Sequence, residues 1–201
     1  MVRVISLIQN NLVFFHLDEL GWCHLKSFGY MLRPFLCALL VVSTALWAED
    51  LAPQDQAVTQ EKVQFTPPPG WRFAETAKLS KAVKVMVVGQ AKTEFAPSIS
   101  LVVEPFEGTL KDYLKIVKRI NDSDGTLWKD LGTVQTEAGE ASLSQAETKT
   151  KWGELRIMHV ILLREGNIYI LTATAKKEEF PAYYEALFKS LKSLRIEEKQ
   201  S

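Results

Sequence analysis

The chain has 201 residues, 24 basic and 24 acidic, so its formal net charge at pH 7 is zero, and 47% of it is hydrophobic. That composition fits one globular domain with extensions. It excludes a basic nucleic-acid binder, which needs surplus Lys and Arg to neutralise phosphates, and a charge-rich disordered chain.

The first 48 residues differ from the rest. Met31-Leu-Arg-Pro precedes an apolar run from Phe35 to Leu46, and Ala48 stands before Glu49-Asp50. A charged start, a short apolar core and a small-residue boundary are the features of a secretory signal. The run is shorter than the roughly 20 residues of a membrane-spanning helix. A cleaved signal over residues 31–48 is therefore expected, rather than an uncleaved anchor. Cleavage after Ala45, with Ser43 at the minus-three place, is the alternative to cleavage after Ala48. Residues 1–30 carry Asp18, Glu19 and no clear pattern, and read as a start-site extension ahead of a true start at Met31. The protein is thus expected outside the cytoplasm, periplasmic or extracellular. Both cysteines, Cys23 and Cys37, fall in the leader. A chain beginning near Glu49 would have no disulfide, no thiolate chemistry and no cysteine-held metal.

Residues 49–61 are polar and unpatterned, as in a flexible tether, and a domain is expected over 62–196 with a short tail at 197–201. Val63-Gln64-Phe65 reads as a short strand. Thr66-Pro-Pro-Pro-Gly-Trp71 reads as a rigid turn that packs Trp71 on the domain edge; the same proline run could serve as a peptide ligand for an aromatic groove. Alternation predicts strands at Val83–Val88 and Ser98–Val103. Thr109 has the place of a helix N-cap, with Asp112 as the acid of a capping box. Leu110, Tyr113, Leu114, Val117 and Ile120 form the apolar stripe of that helix, and Asn121 to Gly125 end it. Asp122-Ser-Asp-Gly125 resembles half a calcium loop. With Gly125 in sixth place, however, Ile120 and Leu131 would fall where ligands are required, so a solvated turn is expected. Asn121-Asp122-Ser123 formally matches a glycosylation sequon.

Two strands follow, near 127–137 and 140–150. Glu140, Ser142, Ser144, Glu147 and Lys149 are expected to look outward, which places the pair toward a sheet edge. Lys151-Trp152-Gly153-Glu154 is a turn. The next strand puts Leu155, Ile157, His159, Ile161 and Leu163 on one face and Met158, Val160 and Leu162 on the other. After the turn at Glu165-Gly166-Asn167, Ile168 and Ile170 face one way and Tyr169, Leu171 and Ala173 the other. A hairpin apolar on both faces implies cover on both sides, hence three layers. The cover on one side is a helix, with Phe180, Tyr183, Tyr184, Leu187, Phe188, Leu191 and Leu194 at helical spacing. Pro181 suits its first turn, and Lys189, Lys192 and Arg195 suit its carboxyl end.

The common catalytic signatures are absent: no Gly-x-Gly-x-x-Gly, no Gly-x-Ser-x-Gly, no His-Glu-x-x-His. His159 is the one histidine after the leader. Alone between Met158 and Val160, it reads as a core residue with a hydrogen-bond partner, and it lacks a second His or Cys for a metal site. No catalytic residue, metal ligand or cofactor is assigned.

The order of elements, with Pro69-Gly70-Trp71, Gly166, Tyr169 to Ala173, and Phe188 to Ile196 including Ser193, resembles the PsbP/DcrB-like group of extracytoplasmic domains. The resemblance covers about residues 62–196. It implies an α+β fold, a three-layer α/β/α sandwich around a mainly antiparallel sheet, in proteins that bind or assemble others without catalysis. The expected function is an exported, non-catalytic protein that binds or helps assemble an envelope partner, with a monomer expected and peripheral membrane association compatible. Trp152, Lys149 and Lys151 are the candidate contact residues, because a turn tryptophan beside lysines suits an interface centre. The structural alternative folds Trp152 back over the sheet edge. A small-ligand or lipid carrier, or an enzyme built on His159, are the competing functions.

Overall fold

The computed structural model describes residues 58–60, 63–75, 79 and 82–197. The signal expected at 31–48, residues 1–30 and both cysteines lie outside the described residues. In chain order the elements are β1 (Val58–Gln60), β2 (Val63–Phe65), β3 (Arg72–Phe73), β4 (Val83–Val88), β5 (Ser98–Pro105), α1 (Leu110–Ser123), β6 (Leu127–Thr136), β7 (Gly139–Thr150), β8 (Gly153–Arg164), β9 (Asn167–Lys176), α2 (Phe180–Lys192) and β10 (Arg195–Ile196). A seven-stranded sheet runs in the order β3-β4-β5-β9-β8-β7-β6, every neighbouring pair antiparallel, and β1, β2 and β10 form a small second sheet. Among the described residues no helix is long and apolar enough to cross a membrane.

Side chains alternate across the sheet, so each strand supplies two faces. One face carries Leu101, Leu143, Val160 and Leu171 and is sealed by Phe180, Leu187 and Leu191 of α2. The other carries Val102, Ile161, Ile168 and Ile170 and meets Tyr113 and Val117 of α1. The expected three layers are thus present, one helix to each face.

Local chemistry sets the element ends. Thr109 caps α1: its Oγ1 accepts from the Asp112 N–H at 3.2 Å and its hydroxyl donates to Asp112 Oδ2 at 2.6 Å. The β8–β9 turn needs only Glu165 and Gly166, since Arg164 already pairs with Asn167. Both turn residues have positive φ, 49° and 71°, as a two-residue hairpin matched to the strand twist requires. Trp71 packs edge-on to Tyr183 at 6.5 Å, as expected for a domain edge.

Four features differ from the sequence reading. Ser142 and Ser144 are buried, not outward. In β7 they pair with Ile161 and His159 on the α1 face, whereas Glu147 and Lys149 fall on the α2 face; no strand can turn all five polar residues one way. Asn121 is also buried and donates Nδ2 to the Val117 carbonyl at 2.8 Å, which encloses the sequon asparagine within α1. Val58–Gln60, inside the stretch read as a tether, pairs with β2. Finally β3 and β10, two residues each, are strands that no periodicity announces.

Candidate functional site

Two places gather residues that could do chemistry or make contacts. The first is the β7–β8 turn. Thr150 Oγ1 donates to the Gly153 carbonyl at 3.0 Å and accepts from the Trp152 N–H at 3.2 Å. Gly153 has φ 107°, a conformation that L side chains rarely adopt. The β6–β7 turn is built the same way, with Thr136 Oγ1 donating to the Gly139 carbonyl at 2.7 Å and accepting from Ala138 N–H at 3.2 Å. There the backbone docks on the end of α2, because Glu137 and Ala138 donate to the Lys192 and Leu194 carbonyls at 3.1 and 2.7 Å.

The Trp152 turn is anchored by its side chain instead. The half-buried indole lies 5.8 Å from the Phe95 ring, and Lys151 Nζ sits 4.6 Å from the centre of the indole, over the ring. Trp152 therefore does fold back toward the α1 face, against the cluster of Phe95, Ala146, Leu155 and Ile157. Lys149 points to the α2 face; its side chain is 88% exposed, with Nζ 3.9 Å from Glu154. The turn thus brings all three candidate residues to one end of the sheet, with Lys149 on the side opposite Trp152.

Behind Lys149 lies an ion-pair cluster. Glu147 accepts from Arg156 Nη2 and from Lys177 Nζ, both at 2.8 Å, and Lys177 also reaches Glu154 at 3.1 Å. Hydrogen bonding to Lys177 holds the Glu147 carboxyl below its ordinary range; burial opposes it, and the hydrogen bond to Arg156 and the charges of both cations add to the lowering. An open groove of about 520 Å³ lies alongside, lined by Trp152, Gly153, Glu154, Lys176, Lys177 and Glu178.

The second place is a polar row across the α1 face. Register sets Asp130 beside Ser144, Ser144 beside His159, His159 beside Thr172, and Thr172 beside Ser100. His159 is 7% exposed, and its Nδ1 is 3.0 Å from Thr172 Oγ1. Burial pushes its pKa down to about 4, so the imidazole is neutral at pH 7. Ser144 Oγ and Trp128 Nε1 are buried with no hydrogen-bond partner. A neutral imidazole among hydroxyls can donate and accept hydrogen bonds, and its recorded partner is a threonine hydroxyl rather than a carboxylate. On the same face Tyr113 donates to Glu104, and burial first, then that bond, raises the phenol. The row escaped the sequence reading, although equal parity of Ser144 and the buried members of the sheet was available once strand pairing was known.

A seven-stranded antiparallel sheet with one helix on each face is the PsbP-like α+β sandwich, and the chain has that fold. Solved structures share it at low sequence identity. Cyanobacterial PsbP (CyanoP) from Synechocystis sp. PCC 6803 is 11% identical, the match covering 70% of this chain and 91% of that one, with a TM-score of 0.51. LpqN, involved in cell envelope biogenesis of Mycobacterium tuberculosis, is 13% identical over 71% of this chain and 90% of its own, with a TM-score of 0.52. The Saccharomyces cerevisiae Ran-binding protein Mog1p is 13% identical over 72% and 96%, with a TM-score of 0.50. By sequence alone the chain matches no protein-family model and no curated protein.

Proposed function

We propose that the chain is an exported, non-catalytic protein that binds or helps assemble a partner at the cell envelope, contacting it through Trp152, Lys149 and Lys151. The observation that carries this is the end of the β7–β8 hairpin: an anchored, half-exposed indole with Lys151 over its face, and the exposed Lys149 at the end of β7 on the other side of the sheet. A packed aromatic beside exposed cations is the composition of an interface centre with a charged rim. The leader-like run at 31–48 supports export. Sharing a fold with LpqN, involved in envelope biogenesis, and with Mog1p, which binds Ran, is consistent with a binding role and is fold analogy only. The groove beside Trp152 is lined largely by charged residues, which does not favour the lipid-carrier alternative.

The test is affinity purification of the exported form from its own host. The double variant Lys149→Glu, Lys151→Glu alters exposed side chains only, so it should melt as the parent does. Partner recovery should fall by roughly ten-fold, equivalent to about 1.4 kcal/mol of binding. Unchanged recovery would remove these residues from the interface. Intact mass of the exported protein checks export itself; retention of residues 31–48 would contradict a cleaved signal.

A further inference from the structure

The large sheet has two edges, and they are unlike. β3 closes one with two residues, while β6 forms the other with ten. Among the described residues no strand pairs with the outer side of β6. In an antiparallel sheet alternate residues turn their N–H and C=O away from their neighbour, so this edge presents a row of backbone donors and acceptors. Of the four exposed large hydrophobic side chains among the described residues two lie on this strand, Leu127 at 72% and Leu131 at 38%. Lys129 stands between them, exposed, with Leu127 and Lys129 paired to Glu147 and Gln145 on the α2 face. Leu131 and Gly132 share the place opposite Leu143, because the register passes from Asp130–Ser144 to Thr133–Ser142. Asp130 Oδ1 holds that bulge by accepting from the Gly132 N–H at 2.8 Å.

We propose that β6 receives an extended segment of a partner protein as an eighth strand, the segment carrying an acidic residue between two apolar ones at alternate positions. Residues directly opposite in an antiparallel pair share a face and touch. An apolar–acidic–apolar pattern therefore meets Leu127, Lys129 and Leu131 in turn, while the backbone of β6 supplies the bonds that strand addition uses. A second copy of this chain fits poorly. The self-pairing that sets Leu127 against Leu131 centres on Lys129 and opposes it to its own copy, and like charges directly opposite are destabilising. The edge is also continuous with the Trp152 turn. Trp128 of β6 packs on the same cluster as Trp152, so an added strand leads toward that turn. The proposal deepens the binding reading and rests on it in one respect, that the partner is a protein.

The experiment places a photo-crosslinking amino acid at Thr133, on the edge, or at Glu185, exposed on α2, in the full chain within its own host. The crosslinked partner segment is mapped, synthesised as a peptide and added to the purified chain during hydrogen exchange. The expected results are an adduct from position 133 and not 185, a segment with an acidic residue between apolar ones, and slowed exchange in β6. Leu127→Lys with Leu131→Lys should weaken the peptide by roughly ten-fold without shifting the melt. Lys129→Glu should weaken it too, with recovery when the peptide's acid becomes lysine. No adduct from position 133, an adduct to a second copy or to the chain's own amino-terminal residues, or a peptide that leaves β6 exchange unchanged would overturn strand addition. In the last case protection confined to the Trp152 turn would leave the binding reading standing. Protection of β6 that is insensitive to Lys149→Glu, Lys151→Glu would instead uphold strand addition and remove those lysines.

Discussion

The two faces of the large sheet come from the same strands and differ in what they bury. The α2 face is apolar across its centre, with Leu101, Leu171, Val160 and Leu143 in neighbouring strands under Leu187 and Leu191. The α1 face is divided: Ile161, Ile168 and Ile170 lie with α1, Leu155 and Ile157 lie with Phe95 and Trp152, and the row through Ser144, His159 and Thr172 runs between them. Apolar burial stabilises in proportion to area. A buried polar row contributes only as far as its members are paired; Ser144 Oγ in the row is not, nor is Trp128 Nε1 on the same face. The α2 face is therefore expected to carry most of the stability, and the α1 face most of its dependence on conditions.

The largest effect should come from charging the dry face. Leu187 of α2 is fully buried against the sheet. Leu187→Asp should cost at least the roughly 2–5 kcal/mol of a large core truncation, with a further penalty for the carboxylate. Denaturant unfolding reads this directly, and an unchanged midpoint would mean that α2 does not hold the sheet.

Acid should act chiefly on the divided face. His159 is held at about 4, below its ordinary 6.5, by burial. Between those values the unfolded chain binds the proton and the folded chain does not, so stability is full above about pH 6.5 and falls as pH drops toward 4. At about 1.4 kcal/mol per pH unit the loss approaches roughly 3 kcal/mol. Glu147, held low on the α2 face, adds a loss of the same sign at more acid pH, as its carboxylate is protonated. In the chain from Glu49, where His159 is the one histidine, His159→Gln should flatten the melting profile between pH 6.5 and 4. A profile that keeps its slope would place the titrating group elsewhere.

A smaller loss is expected from crowding on the α2 side. A Cβ added at Gly89 would lie 2.7 Å from Trp71 Cε2 and 3.0 Å from Pro97 Cγ. Gly89→Ala should cost about 1–3 kcal/mol, the range for overpacking, and should perturb the fluorescence of the tryptophan packed on Tyr183. The smallest effect should be a gain. Ser144→Ala removes a buried hydroxyl that has no partner, and stability should stay level or rise by about 1 kcal/mol. A clear loss would show that the hydroxyl is paired in solution and that the row is better satisfied than its geometry indicates.

The parts of this molecule that were legible in advance are those set within a few residues. Thr109 with Asp112 announces a helix start because the capping bonds span three residues. The alternation from Leu155 to Leu163 assigns both faces of β8, since strand geometry alone fixes where successive side chains point. The stripe from Phe180 to Leu191 shows the helix that covers one of them, although the helix stops at Lys192, short of Leu194 and Arg195, which the spacing places in it. Trp152 was legible as a turn residue but not in its packing: Phe95, against which it leans, lies 57 positions earlier, and nothing local to either residue signals the contact.

The sequence by itself determined the leader-like segment, the hairpin clad on two sides, the caps and turns, and through them the sandwich, because each depends on short-range periodicity or on the backbone preferences of a few residues. Tertiary structure alone decided which strands are neighbours. Register carried Asp130, Ser144, His159, Thr172 and Ser100 from five separate strands into one row and turned Ser142 and Ser144 inward. It also left β6 at an edge and recruited the two-residue strands β3 and β10. Cross-strand neighbours are set by pairing between distant segments, and two residues have no period to display, so neither could be read from the order of residues along the chain.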